Sequence, residues 1–294
     1  SLDPVYRGVS PDTPTLFWPE EDGKGKTDMK ITILGTGNAL VTECYNTCYV
    51  LTSEEGHLLV DGGGGGTILV RLKQAGIDPN EIHHIFVTHK HIDHVMGIIW
   101  MMRVICQNMN AGKYQGDAYI YAHEELTEML LKLAKMLLNK KEIKRIGERL
   151  HLVPVGDGEK RRILGHEYTF FDIGSTKAKQ YGYMLDLGEG RRLTCCGDEP
   201  YNEREKKYAE GSAWLLHEAF CLDAQADVFH PYEKHHSTVK DASMLAEELG
   251  VENLLLYHTE DQNIARRQEL YRAEGEQYFH GSLWIPEDLD VIEL

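Results

Sequence analysis

The chain has 294 residues, 42% of them hydrophobic, enough for one large or two small domains around a sizeable core. Its 47 acidic against 31 basic residues give a formal net charge of −16, which argues against a broad electrostatic grip on nucleic-acid backbone. No apolar run approaches the ~20 residues that span a bilayer. The six cysteines (Cys44, Cys48, Cys106, Cys195, Cys196, Cys221) include no CxxC pair and read as reduced thiols rather than a disulfide frame. Ser1–Leu2–Asp3–Pro4 lacks the basic-then-apolar pattern of a signal peptide, so a soluble cytoplasmic protein is expected.

Residues 1–28 are rich in Pro, Gly, Asp and Glu and read as an N-terminal extension, with a single α/β domain expected over 29–294. Strands are predicted at Lys30–Gly35, Thr47–Leu51 and His57–Val60, the last two joined by a turn at Ser53–Gly56. Asp61 and the run Gly62–Gly66 follow. Without a lysine in P-loop position that run reads either as a tight strand-to-helix turn or as a loop in contact with a ligand. A helix is predicted over 67–75, stopped by Gly76. The apolar run Ile82–Val87 leads into Thr88–His89–Lys90–His91–Ile92–Asp93–His94 and then a buried helix to about Ile105. Ala118–Ala122 reads as a strand. His123 to about Leu150 reads as one long helix, with Leu126, Met129, Leu130, Leu133, Met136 and Leu137 at helical spacing. Its basic stretch Lys140–Arg145 reads as a solvated face.

Strand character resumes at 151–155 and 168–173, and Tyr181–Leu187 with Arg192–Cys196 flank a Gly188–Glu189–Gly190 hairpin turn. Gly197–Asp198 closes that second strand. Ala213–Leu216 leads into His217–Glu218–Ala219, and His235–His236–Ser237–Thr238 precedes a helix over 239–249. A last buried strand, 252–257, ends in His258; a helix over 263–273 and a packed terminal segment complete the chain.

Four buried strands thus end in a metal-type residue: Asp61, His89, Asp198 and His258. Strand ends along one sheet edge converge in space, where α/β proteins place their chemistry. His89, His91, Asp93 and His94 fall within six residues, and neutral imidazole with carboxylate suits zinc and its neighbours. Asp61 is placed to orient a ligand from behind.

The order His-x-His-x-Asp-His, followed by Gly–Asp at 198 and by His258 after the last core strand, resembles the signature of the metallo-β-lactamase superfamily. Ile33–Leu34–Gly35–Thr36–Gly37, His217–Glu218–Ala219 and His236–Ser237–Thr238 are similar to the motifs of ribonuclease Z-like proteins within it. The resemblance implies a four-layer αββα sandwich with a metal site at one sheet edge. It implies a first metal on His89 and His91, a second on Asp93, His94 and His258, and Asp198 bridging the two. One or two zinc ions, with manganese or iron as alternatives, would supply a metal-bound hydroxide for a phosphodiesterase reaction. The implied catalytic residues are Asp93, His217 as general acid, and His236, which either positions phosphate with Thr238 or packs and caps the following helix.

Two departures from the family pattern stand out. The family supplies a further histidine for the first metal near Gly174 or Thr176, and none is present there. The first metal is therefore expected to be the weaker, or to recruit another residue such as Asp172 or His123. The arm with which transfer-RNA-processing relatives hold their substrate is also missing: about two dozen residues separate Gly174 from Asp198. A small ester or phosphodiester is expected as substrate rather than a large structured RNA, with no membrane partner and a homodimer. The alternatives are hydrolysis of a lactam, lactone or thioester on the same fold, and a metal-poor, non-catalytic binding module.

Overall fold

The structure, a computed structural model, describes residues 29–294; the extension expected over 1–28 lies outside the described residues. The chain opens with β1 (Lys30–Gly35), β2 (Cys48–Ser53) and β3 (Gly56–Val60), a meander of aliphatic and aromatic residues. Then come α1 (Thr67–Gln74), β4 (Ile82–Phe86), α2 (Ile92–Asn110), β5 (Ala118–Ala122), α3 (Glu124–Leu137), α4 (Lys140–Ile143) and β6 (Leu150–Pro154). The second half runs β7 (Lys160–Ile163), β8 (His166–Asp172), β9 (Tyr181–Gly188), β10 (Arg191–Cys195), α5 (Lys206–Ala209) and β11 (Trp214–Glu218). It ends with α6 (Ala226–Phe229), α7 (Val239–Glu248), β12 (Asn253–Tyr257), α8 (Arg267–Gly275), β13 (Ser282–Trp284) and β14 (Val291–Glu293).

The strands form two seven-stranded sheets, ordered β14-β1-β2-β3-β4-β5-β6 and β13-β12-β11-β10-β9-β8-β7. In each, a meander of antiparallel strands gives way to parallel ones: β3 to β6 in the first, β10 to β13 in the second. Side-chain alternation assigns the layers. Ile31, Ile33, Tyr49, Leu58 and Val60 face Phe170, Tyr183, Leu193, Leu216 and Leu255 between the sheets. The opposite residues of the first sheet, Val50, Leu59, Ile85 and Ile120, pack under Ile68 and Leu72 of α1, Ile98 and Met102 of α2, and Leu126 and Leu130 of α3. Those of the second sheet, Leu215, Leu254 and Leu256, pack under Val239, Ala242 and Ala246 of α7 and Tyr271 of α8. The result is the four-layer αββα sandwich. No described helix is long and apolar enough to cross a membrane.

The glycine run resolves into a tight turn that lets α2 approach. Gly62 donates to the His94 carbonyl and Gly97 to the Gly63 carbonyl, each at 2.9 Å. A Cβ on Gly97 would lie 1.7 Å from the Gly62 oxygen, so only glycine fits at this crossing.

The long helix expected over 123–150 is broken. Leu138 is extended, and Asn139 starts α4 with a capping box to Glu142, both side chain-to-backbone bonds being present. Asparagine competes with helix continuation by offering its own side chain to the backbone, and this outweighs the apolar periodicity. The strand β7 has no signal in the sequence because Lys160–Arg161–Arg162 is an exposed edge without alternation. The terminal segment divides its two strands between the two sheets, β13 beside β12 and β14 beside β1.

Candidate metal centre

The sheets bring four strand ends to one rim. β3 stops at Val60 and Asp61 turns out with φ 57°; β12 stops at Tyr257 and His258 turns with φ 58°. After β10, Gly197 takes φ 79° and presents Asp198. Beyond β4, an irregular segment carries His89 and ends at His91, whose extended backbone caps α2; the first turn of that helix carries Asp93 and His94.

Two ligand sets result, His89–His91–Asp198 and Asp93–His94–His258, the donor atoms within each set lying within 4.8 Å of one another. One oxygen joins the sets. Asp198 Oδ2 is 3.4 Å from His89 Nε2, 3.2 Å from His94 Nε2 and 3.6 Å from His258 Nε2. His91 Nδ1 lies 2.8 Å from His89 Nε2. Except for the half-buried His91, every member is buried.

The other ring nitrogens decide where the protons sit. His94 Nδ1 is 2.8 Å from Asp61 Oδ2, an acceptor only, so this nitrogen donates. Thr88 Oγ1 gives its proton to Asp61 Oδ2 at 2.7 Å and is left to accept from His89 Nδ1 at 3.0 Å. Thr47 Oγ1 gives its proton to the Gly37 carbonyl and accepts from His258 Nδ1 at 3.2 Å. In their neutral forms all three imidazoles therefore turn an unprotonated Nε2 toward a carboxylate oxygen. His94 Nε2 is buried with no hydrogen-bond partner. Lone pairs aimed at one another are stable only around positive charge, so the donor set fits a cation.

The local electrostatics favour the neutral form for two of the three and the cation for His94. Burial pushes His258 down to about 3, and His89 falls well below the imidazole range for the same reason. Burial also lowers His94, but the Asp61 and Asp93 carboxylates outweigh it and hold His94 well above its ordinary value. Burial would raise Asp198, yet the surrounding histidines hold it well below the carboxylate range.

The loop where a further histidine was expected supplies no imidazole. Thr176 Oγ1 lies 3.4 Å from His235 Nε2, and Gly174 packs beside Arg204. Neither proposed substitute reaches the centre. Asp172 accepts from the Gly174 amide, and His123 Nε2 sits 3.1 Å from the Lys179 carbonyl. The residue that does arrive from this loop is Gln180, whose Nε2 donates to Asp198 Oδ1 at 2.7 Å.

His236 stands beside the centre, its ring 5.2 Å from that of His258 and stacked on Phe220 at 4.9 Å. Its Nδ1 is 3.6 Å from Glu218 Oε2, and Glu218 is fully buried with Oε1 accepting from the Ser237 amide. Thr238 caps α7 through a capping box with Asp241.

His217 is directed elsewhere. It pairs in register with Leu256 and shares the helix-side face of β11 with Leu215. There it lines a pocket of about 230 Å³ with Tyr201, Tyr232 and His236. Glu218 has the parity of the inward-facing Leu216. Residue type alone favours the histidine of this pair as the acid; strand alternation is the signal that separates the two.

The family described as Anti-Pycsar protein Apyc1 matches residues 29–279. The chain belongs to that family. It is 26% identical over 305 residues to a ribonuclease Z of Nanoarchaeum equitans, covering 90% of this chain and 92% of that one. Among solved structures it is similar to the metallo-β-lactamase fold protein YhfI of Bacillus subtilis, with TM-score 0.74, 19% identity and coverage of 90% and 99%. It is also similar to human tRNase Z, short form, with TM-score 0.67, 20% identity and coverage of 90% and 98%. The fold of this Apyc1-family chain is the metallo-β-lactamase fold.

Proposed function

We propose that this Apyc1-family protein is a metal-dependent hydrolase that cleaves small phosphodiesters at the rim between its sheets. The carrying observation is Asp198 Oδ2, placed between two separate ligand sets. His89, His91 and Asp198 would hold one ion; Asp93, His94, His258 and the same Asp198 oxygen the other, with zinc the ion the donor set favours. When bound, such a pair supplies an activated water and neutralises charge building on a phosphoryl group. The chain's own contribution is to aim the Nε2 atoms of His89, His94 and His258 at one point and to offer a proton to the leaving oxygen. His236 is suited to donate that proton, since it adjoins the centre and its ring is held between Phe220 and the buried Glu218 carboxylate, 3.6 Å from its Nδ1. The ribonuclease Z relatives support phosphodiester chemistry.

Two observations favour a small substrate over structured RNA. The segment between Gly174 and Asp198 is taken up by a short loop and the β9–β10 hairpin, and the chain carries a net charge of −16. A homodimer is part of the same reading, supported by the exposed apolar residues Ile92 and Trp100 on α2 and Val70 on α1. Sedimentation should show a dimer that Trp100→Glu dissociates; a monomeric parent would remove this element.

The direct test is hydrolysis of bis(p-nitrophenyl) phosphate by purified protein with Zn²⁺ or Mn²⁺, beside a panel of precursor transfer RNA, lactams, lactones and thioesters. Cleavage confined to the small phosphodiester is expected. No phosphodiester cleavage at full metal occupancy would overturn the reading, and turnover of a lactam, lactone or thioester instead would move the activity to another bond.

A further inference from the structure

Gln180 is 1% exposed and closes the loop between β8 and β9. Its backbone is held on both sides: its carbonyl accepts from the Ile173 amide at 3.1 Å, and the next amide, of Tyr181, donates to the Thr88 carbonyl at 3.0 Å. The loop is thereby tied to the segment that carries His89 and His91. The side-chain amide then reaches Asp198 Oδ1 at 2.7 Å. A carboxylate among lone-pair donors can only accept, so the nitrogen of the amide must face it.

The surroundings make room for this contact. A Cβ on Gly197 would lie 2.8 Å from Gln180 Nε2, so glycine beside Asp198 leaves the space the amide occupies. The two oxygens of Asp198 are thus divided. Oδ1 takes the Gln180 amide, and Oδ2 faces the three Nε2 atoms at 3.2, 3.4 and 3.6 Å.

We propose that Gln180 is a positioning residue that commits Asp198 to bridging two metal ions through Oδ2 alone. The segment that lacks the expected imidazole supplies instead the amide that fixes the shared carboxylate. Without the amide, Asp198 is free to rotate and chelate one ion with both oxygens, at the expense of the other. This proposal rests on the two-ion reading above.

The test uses Gln180→Met, which keeps length and volume without a donor, and Gln180→Asn, an amide too short to reach. Metal content per chain, affinity by chelator competition, the absorption spectrum of the cobalt-loaded protein and the melting temperature of the metal-free protein are measured for each. Partners behind metal ligands typically contribute 10- to 100-fold in affinity. Both variants should therefore bind one of the two ions about 10- to 100-fold more weakly and show an altered cobalt spectrum, with little change in metal-free melting. Unchanged affinity and spectrum in either folded variant would overturn the proposal, as would a lowered metal-free melting temperature with affinity intact, which marks a packing role. A parent protein that binds a single ion would overturn the two-ion reading itself, an outcome visible before any variant is made.

Discussion

Asp61, Thr88 and Thr47 each take the far nitrogen of a histidine, and in doing so set which nitrogen faces the centre. Asp61 was legible because a carboxylate directly after a buried strand has few structural reasons to be there. Glu218 was not, because the histidine beside it draws the eye and only alternation along β11 tells the two apart. The decision between them is kinetic. His236→Ala should lower kcat by about 10²- to 10⁴-fold with metal content unchanged, the usual worth of a positioned acid or base. Glu218→Gln should lower it in the same sense. His217→Ala should leave kcat within a few-fold; the reverse ranking would return the acid role to His217. Gln180 was equally illegible, since amides are not sought as metal-site residues and its partner lies 18 positions away. The first ligand set has two imidazoles and the shared carboxylate, one donor fewer than the second set when Asp198 is counted in both. Titrating chelator into the two-metal protein should remove the ion on His89 and His91 first. Two equivalents retained through exhaustive dialysis against chelator would contradict this.

Among the elements, α2 carries the most consequence, because its first turn holds two ligands and its second crosses the Asp61 loop. Gly97→Ala puts a methyl into the Gly62 backbone, which cannot move without dragging Asp61. Overpacking of this kind costs about 1–3 kcal/mol. Denaturant unfolding should show a loss at the upper end, with weakened metal binding alongside; a variant as stable as the parent would mean that α2 does not approach so closely. A different element carries a pH response. The turn before α5 is capped by Asn202, whose amide and side chain donate to Glu205 Oε1 at 3.1 and 3.3 Å. Burial raises Glu205 from 4.5 to about 8. Its contribution to stability is fully present below about 4.5 and is lost as pH rises through about 8. Melting of Glu205→Gln should match the parent at pH 5 and exceed it at pH 9, by on the order of one to a few kcal/mol. Equal melting at both pH values would contradict a neutral buried Glu205. Periodicity located α2 and α7 well. It ran α3 through Leu138 because side-chain capping at Asn139 is a local competitor that apolar spacing does not register.

For the whole molecule, the alternation of strands and helices carried a single α/β domain and the strand-end ligands its chemical rim, while the four-layer sandwich came with the resemblance to the metallo-β-lactamase superfamily. What they could not carry was the assignment of edges. β7 is exposed and charged, β13 and β14 are three-residue strands, and the partner of β14 is at the other end of the described chain. Those edges matter for cohesion: β14 pairs with β1 and β13 with β12, so the end of the chain seals both sheets. Sealing both sheets fixes the rim between them, and with it the distance between the two ligand sets. Two ions held at that distance would show in the positions of the metals themselves. A crystal structure of the zinc-loaded protein, with anomalous scattering collected at the zinc edge, should show two ions sharing Asp198 Oδ2, one on His89 and His91 and the other on Asp93, His94 and His258. A single anomalous peak at full loading, or two ions with Asp198 bound to only one of them, would contradict it.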